Sequence, residues 1–306
     1  MTKANKWCSA AASILTLAAS LGLVGCSAQA EDVGTTDAEL RSTGWTTMTA
    51  PGVQQITVSP SNRLYGIGSD GAVYEASGMT WVKVSRPWVT KIAVTTANAP
   101  GGTWIYGIGT DRNLYRVRPS VTRPAWTRLT NVGVNVFGSY TEITVDSDGV
   151  AYALRADGQV ERVEPRTGYG NAWLTQVTDP SGFVTSIEVG TDGLLYGLGT
   201  NGRVYRTETA YVTPWQELTS RTGMVTTLAL SPENDVYGLG TDGALYRITS
   251  SSNVPGPNGV GTADWVRVLE SWKVPSTNDG LVVAANATLY WVKGPGSGVQ
   301  RTNIVP

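Results

Sequence analysis

The stretch LYGIGSDGAVYEASG, residues 64–78, decides the fold. It returns as IYGIGTDRNLYRVRP from Ile105, LYGLGTNGRVYRTET from Leu195 and VYGLGTDGALYRITS from Val236. In each copy two short runs of Leu, Val, Ile and Tyr flank a polar cluster. Such runs form strands, and Asp-Gly or Asn-Gly between them tolerates the positive φ of a tight hairpin, expected here as a two-residue primed turn. TDRN at Thr110 lacks the glycine, which moves the expected positive-φ residue to Asn113. KGPGSG at Lys293 predicts a longer connection.

Outward from this hairpin the repeat grows to four strands. An apolar tripeptide precedes each copy, beginning at Ile56, Ile92, Ile143, Ile187, Leu228 and Leu281. The strand after it carries a tyrosine at its second position: Tyr65, Tyr106, Tyr152, Tyr196, Tyr237 and Tyr290. A further short strand starts at a tryptophan in each unit: Trp45, Trp81, Trp126, Trp173, Trp215 and Trp265. Six units about 36 to 53 residues apart have the spacing of propeller blades. A lone four-stranded sheet leaves both faces wet, and stacking six around a ring covers them. The expectation is an all-β, six-bladed β-propeller of four-stranded antiparallel blades. Because the first tryptophan strand precedes any tripeptide strand, Trp45 to Met48 is expected to complete the sixth blade and close the ring. Gly66, Gly107, Gly197 and Gly238 interrupt the tyrosine strand, which predicts close approach by a neighbouring blade.

Composition agrees and excludes some functions. Of 306 residues 36 are glycine, 11 tryptophan and 13 tyrosine, against 2 phenylalanines, and only 15% are charged. That mixture suits short strands and turns rather than long helices. Net charge is −1 with no basic run, so nucleic acid is excluded as a partner. There is no histidine, no G-x-S-x-G elbow, and, once the leader is removed, no free thiol, which leaves an enzyme short of parts. DSDG at Asp146 to Gly149 has no continuation as a calcium loop and reads as a turn. No metal and no cofactor are expected.

The first 25 residues read as a signal peptide, with Lys3 and Lys6 before an apolar stretch from Ala10 to Gly25. Leu23-Val24-Gly25-Cys26 resembles the bacterial lipobox, which implies cleavage before Cys26, lipidation of that cysteine and attachment to a membrane. Cleavage near Ala28-Gln29-Ala30 is the alternative. Ser27 after the anchor implies, by resemblance to diderm lipoproteins, the outer membrane or cell surface. Residues 26–43 are polar and acidic and read as a tether, leaving 44–306 for the propeller.

The pattern W-x-x-L … I-x-V … L-Y-G-I-G-x-D-G-x-L-Y-R resembles the tectonin repeat of tachylectin-like β-propellers over roughly residues 43 to 302. The resemblance implies a lectin, with a glycan or cell-surface polysaccharide as ligand and no catalysis. An envelope protein-interaction scaffold is the alternative, and a propeller hydrolase a weaker one. The six repeated tryptophans, one per unit, are expected to pack between blades. Aromatics outside that frame are better ligand candidates: Trp88 and Trp272, each seven residues beyond a frame tryptophan, and Trp104 and Trp291, beside the tyrosine positions.

Overall fold

The structure, a computed structural model, describes residues 41–42, 44–48, 52–95, 102–130, 139–165, 172–179, 182–210, 212–219, 225–248, 263–269, 280–292 and 298–305. The leader, Cys26, most of the tether and Trp272 lie outside the described residues. Among the described residues no helix is long and apolar enough to cross a membrane.

Six antiparallel sheets form the blades of a β-propeller. Blade one runs Val53–Val58, Leu64–Gly68, Val73–Ser77 and Thr80–Lys83 from the inner strand to the outer. Blade two is Val89–Val94, Ile105–Gly109, Leu114–Val117 and Thr127–Arg128. Blade three is Tyr140–Val145, Ala151–Arg155, Val160–Pro165 and Ala172–Gln176. Blade four is Val184–Val189, Leu194–Gly199, Val204–Glu208 and Gln216–Glu217. Blade five is Ala229–Leu230, Val236–Leu239, Leu245–Ile248 and Val266–Leu269. Blade six takes Leu281–Ala284, Thr288–Val292 and Val299–Val305 from the end of the chain.

The outer strand of blade six comes from the beginning of the chain. Thr46–Met48 pairs antiparallel with the last strand, Thr46 opposite Arg301 and Met48 opposite Val299. Arg41–Ser42 pairs further along that strand, opposite Val305 and Ile304, so this sheet has five strands rather than four. Each inner strand touches the next around the axis, including the sixth against the first, and the ring is closed.

The hairpins between second and third strands differ from the two-residue turns expected. Gly71 N–H donates to Gly68 C=O at 2.8 Å, and Gly68 N–H to Ala72 C=O at 2.9 Å. Of this turn's residues only Gly71 has positive φ, at 72°. This is a type I turn followed by one left-handed residue, a longer loop than a primed turn. In TDRN the left-handed residue is Arg112, φ 60°, not Asn113. The Asp111 carboxylate accepts Asn113 N–H at 3.1 Å and so braces the turn without a glycine. DSDG is indeed a turn, with Gly149 at φ 85° and Asp146 accepting Val150 N–H at 2.8 Å.

Tyr65, Tyr106, Tyr152, Tyr196 and Tyr237 are core, and Tyr290 is partly buried. Tyr65 and Tyr196 are fully buried, and each such ring removes about 150–250 Å² from water, worth up to about 4–6 kcal/mol.

The strand glycines answer to their own blade, not to a neighbour. A Cβ on Gly66 would lie 2.7 Å from Val53 Cγ1 and 3.2 Å from Trp81, both in blade one. Gly107 meets Val89 and Trp126 in the same way, Gly197 meets Val184 and Trp215, and Gly238 meets Val225 and Trp265. The outer-strand indole lies across the blade onto the bare backbone of the second strand. It also packs between blades, as expected: Trp126 lies against a buried cluster that includes Tyr65, Ile67 and Val73 of blade one, and Trp215 against one that includes Tyr152, Leu154 and Val160 of blade three.

Trp173 departs from the set. In blades one, two and four the tryptophan stands three residues before an apolar residue and four before a hydroxyl: Trp81, Val84, Ser85; Trp126, Leu129, Thr130; Trp215, Leu218, Thr219; Trp265 keeps the apolar residue, Val268, but is followed by Leu269. Those hydroxyls accept N–H groups at the start of the third strand, as Ser85 does from Val73 at 2.9 Å. Blade three keeps this anchor, Val160 N–H donating to Thr178 at 2.9 Å, but Trp173 is one residue too early. Leu174 then sits opposite Val163, the place that Trp81 takes opposite Ala76. A one-residue offset turns a strand side chain to the other face, and Trp173 is 58% exposed. It is not a frame residue.

Candidate functional site

Two places on the propeller gather functional side chains. The first lies where the second-to-third-strand hairpins meet the segments that enter the inner strands. In blade two Trp88 occupies such a segment. Its N–H donates to Gly71 C=O of blade one at 3.0 Å, and its C=O accepts Thr110 N–H at 3.1 Å. These bonds hold its backbone at the seam between two blades and leave the side chain 43% exposed.

The Trp88 ring meets Tyr115 edge to face, centroids 5.9 Å apart. Tyr115 donates its hydroxyl to Asp111 Oδ2 at 2.7 Å. Gly109 is the floor: a Cβ there would lie 2.6 Å from Tyr115 Cε2, 2.7 Å from Asp111 Oδ1 and 2.8 Å from Trp88 Nε1. Burial pushes the Asp111 carboxyl up, yet the hydrogen bonds from Tyr115 and Asn113 outweigh it and hold the group below its ordinary range. Asp111 is thus ionised at neutral pH. A carboxylate has about four lone-pair positions, and two are used, so it can accept hydroxyls beside an apolar ring.

Blade four repeats the arrangement with changed residues. Phe183 replaces Trp88 and packs on Tyr205 at 4.8 Å, while Asn201 Nδ2 donates to the Tyr205 hydroxyl at 2.8 Å. Gly199 is the floor here, its absent Cβ position 2.7 Å from Asn201 Oδ1 and 2.8 Å from Tyr205 Cε2. A cavity of about 370 Å³ opens beside it, lined by Asn201, Gly202, Thr226 and Thr241 among others.

In blades one and five the same slot is plugged. Asp70 accepts Tyr74 at 3.0 Å and Lys83 Nζ at 2.6 Å, and Asp242 accepts Tyr246 at 2.7 Å and Arg267 at 2.9 Å. A cation from the outer strand bonds the carboxylate there, whereas in blade two the matching Arg128 acts on Asp111 through its charge alone.

The other candidates stand elsewhere. The Arg116 and Arg118 guanidinium carbons lie 4.5 and 4.7 Å from the Trp104 ring centroid. This is a cross-strand slot that blade one fills with Arg63 and Glu75, and blade five with Asp235 and Arg247. Trp104 is a partner to its own arginines. Trp291 is 1% exposed, in the core of the last two blades with Leu281 and Leu289. It occupies the slot that glycine holds in blades one, two, four and five, and its burial removes it as a ligand platform. Trp272 lies outside the described residues.

The second place is the axis, which sequence reasoning missed. The inner strands enclose a cavity of about 580 Å³. Its only ionisable lining groups among the described residues are Lys91, Glu142 and Glu188, from blades two, three and four. Lys91 Nζ pairs with Glu142 Oε2 at 3.0 Å. Thr144, itself buried, donates its hydroxyl to Glu188 Oε2 at 3.1 Å and accepts Val189 N–H at 3.3 Å. Burial first, and then the nearby Glu142 charge, push Glu188 up to about 7. Glu142 is raised as well, by burial, against the pull of Lys91.

The comparisons with known proteins agree with this architecture. The family model described as Tachylectin matches residues 93–227, blade two into the start of blade five. The chain is similar to tachylectins over that span. No curated protein matches the sequence. Among solved structures it is similar to XC5397 from Xanthomonas campestris, described as a gluconolactonase. The TM-score is 0.60 at 11% identity, covering 87% of this chain and 90% of that one. It also resembles virginiamycin B lyase from Staphylococcus aureus, TM-score 0.51, 12% identity, 87% and 100% covered. YCF48 from Cyanidioschyzon merolae gives TM-score 0.53 at 13% identity, 84% and 87% covered. At such identities these likenesses concern the fold alone.

Proposed function

We propose that the protein is a lectin-like propeller that binds glycan without catalysis, held on a bacterial envelope by lipid at Cys26. One observation carries the binding reading: an exposed indole, a tyrosine and an ionised carboxylate converge over Gly109, and Phe183, Tyr205 and the neutral Asn201 take the corresponding places over Gly199. An apolar ring beside hydroxyl acceptors suits a pyranose, which has an apolar face and a hydroxyl rim. The tachylectin likeness of residues 93–227 covers the blade-four site and, in blade two, Gly109, Asp111 and Tyr115 but not Trp88. Two weak sites on one disc gain avidity on a dense sugar coat, on the order of 10²–10⁴. The anchor rests on the lipobox-like Leu23-Val24-Gly25-Cys26.

A glycan array that includes lipopolysaccharide and peptidoglycan fragments tests the reading, with wild type beside Trp88→Ala. Saturable binding that Trp88→Ala weakens about tenfold is expected. Absence of binding to every glycan removes the lectin reading. An envelope partner still captured after deglycosylation favours a scaffold, and turnover of a sugar lactone favours an enzyme. Radiolabelled palmitate incorporated by wild type and lost in Cys26→Ser tests the anchor.

A further inference from the structure

The axial cavity has a charge distribution that the ring itself does not require. Matching inner-strand positions are Gln55, Lys91, Glu142, Ser186, Thr227 and Gly280, and, two residues on, Thr57, Ala93, Thr144, Glu188, Ala229 and Val282. Blades two to four supply all the charge, while blades five, six and one supply hydroxyl, amide and apolar groups. Lys91 and Glu142 cancel as a pair, so Glu188 is left with a hydroxyl as its polar partner.

A buried excess carboxylate is costly unless paired. Gln55 adds an independent sign of a missing donor. It lines the same cavity, and its Oε1 is buried with no hydrogen-bond partner in the protein. An acceptor left so costs about 1–3 kcal/mol. A carboxylate with a single hydroxyl partner and an amide oxygen with none, in a cavity within the usual 300–1,000 Å³ of small-molecule sites, suit a donor-bearing guest.

We propose that the axial cavity is a binding site for a small organic cation, a primary ammonium compound of amino-alcohol to amino-sugar size. Its ammonium is held by Glu188, with Thr144 ordering that carboxylate, and its hydroxylated end faces the polar and apolar wall of blades five, six and one. A hard dication fits worse. It needs six or more oxygen ligands, and no group of three or more acidic, His or Cys residues able to hold a metal occurs among the described residues. The Lys91 ammonium beside Glu142 opposes it further. Among the described residues Lys91, Glu142 and Glu188 are the only charged groups that face the cavity, so binding couples to their ionisation. Below neutrality the guest displaces a proton from Glu188.

Calorimetry on the full protein at pH 6.5, in two buffers of different ionisation enthalpy, tests this with ethanolamine and glucosamine. Ethylene glycol and glucose are the uncharged counterparts. The amines are expected to bind saturably, at least tenfold more tightly than their counterparts. Ethanolamine is expected to release protons. Glu188→Gln, which keeps size and removes charge, should weaken amine binding at least tenfold and abolish the proton release. Trp88→Ala should leave both unchanged, which separates this site from the glycan site. The proposal is overturned if neither amine saturates, if the neutral compounds bind equally well, if Glu188→Gln binds as wild type, or if Trp88→Ala removes amine binding.

Discussion

Blades one and three share a sequence pattern and use its tryptophan in opposite ways. In blade one Trp81 precedes Val84 by three residues, lies opposite Ala76, and comes down on Gly66. In blade three Trp173 precedes Val177 by four, lies opposite Glu164, and faces outward. The second strand changes with it: Ala153 stands where blade one has Gly66, and Leu174 takes the indole's place. In blades one, two, four and five glycine and tryptophan are therefore one packing unit, and blade three has given up both; blade six keeps Trp45 with Trp291 in the glycine's place. Repetition of a residue type does not establish repetition of its role. The anchoring hydroxyl, Ser85 or Thr178, keeps the true register.

The largest test compares two indoles. Trp215→Ala, which strips the cover from Gly197, should cost about 2–4 kcal/mol in urea unfolding. An effect below about 1 kcal/mol would mean that the indole does not hold the blade.

The contrast between blades extends to the axis, where blade four carries Glu188 and blade one carries Thr57. Glu188 is raised in the folded state, so it keeps its proton while the unfolded chain loses one. Stability therefore falls as pH rises from about 4.5 to about 7 and is flat beyond. Glu188→Gln should raise stability at pH 8 by about 2–3 kcal/mol and change little at pH 4. Equal effects at both values would show that Glu188 is not desolvated.

Gly107→Ala installs the methyl that blade three already has, but without the register offset. It meets Val89 and Trp126 and should cost about 1–3 kcal/mol. The smallest effect belongs to Trp173→Ala, within about 0.5 kcal/mol. A loss comparable to Trp215→Ala would restore Trp173 to the frame.

Much of this was legible because the repeat is written in turn residues and paired aromatics, which act locally. The blade count, strand order and closing strand follow from where Trp45 and the last hairpin fall. The offset in blade three was legible too, as a spacing of four between Trp173 and Val177, but matching by tryptophan alone hides it. Trp291 misled for a related reason. Its neighbour Tyr290 marked the strand, but only the three-dimensional ring shows that position to be interior. The axial charges were hardest to see. Lys91, Glu142 and Glu188 lie roughly fifty residues apart, each an unrepeated residue in a repeated strand. Only ring closure brings them within reach of one another.

The seam has a kinetic consequence. Gln300 Nε2 donates to Thr47 Oγ1 at 2.8 Å across 253 positions of sequence. A chain emerging from the ribosome can fold hairpin after hairpin, but the last sheet waits for its final strand. Until then Thr46–Met48 has no partner, and the unfinished edge is exposed to pairing with another nascent copy. Slow acquisition of the last step, and swapping of the first strand between molecules at high concentration, are built into this way of ending a circle.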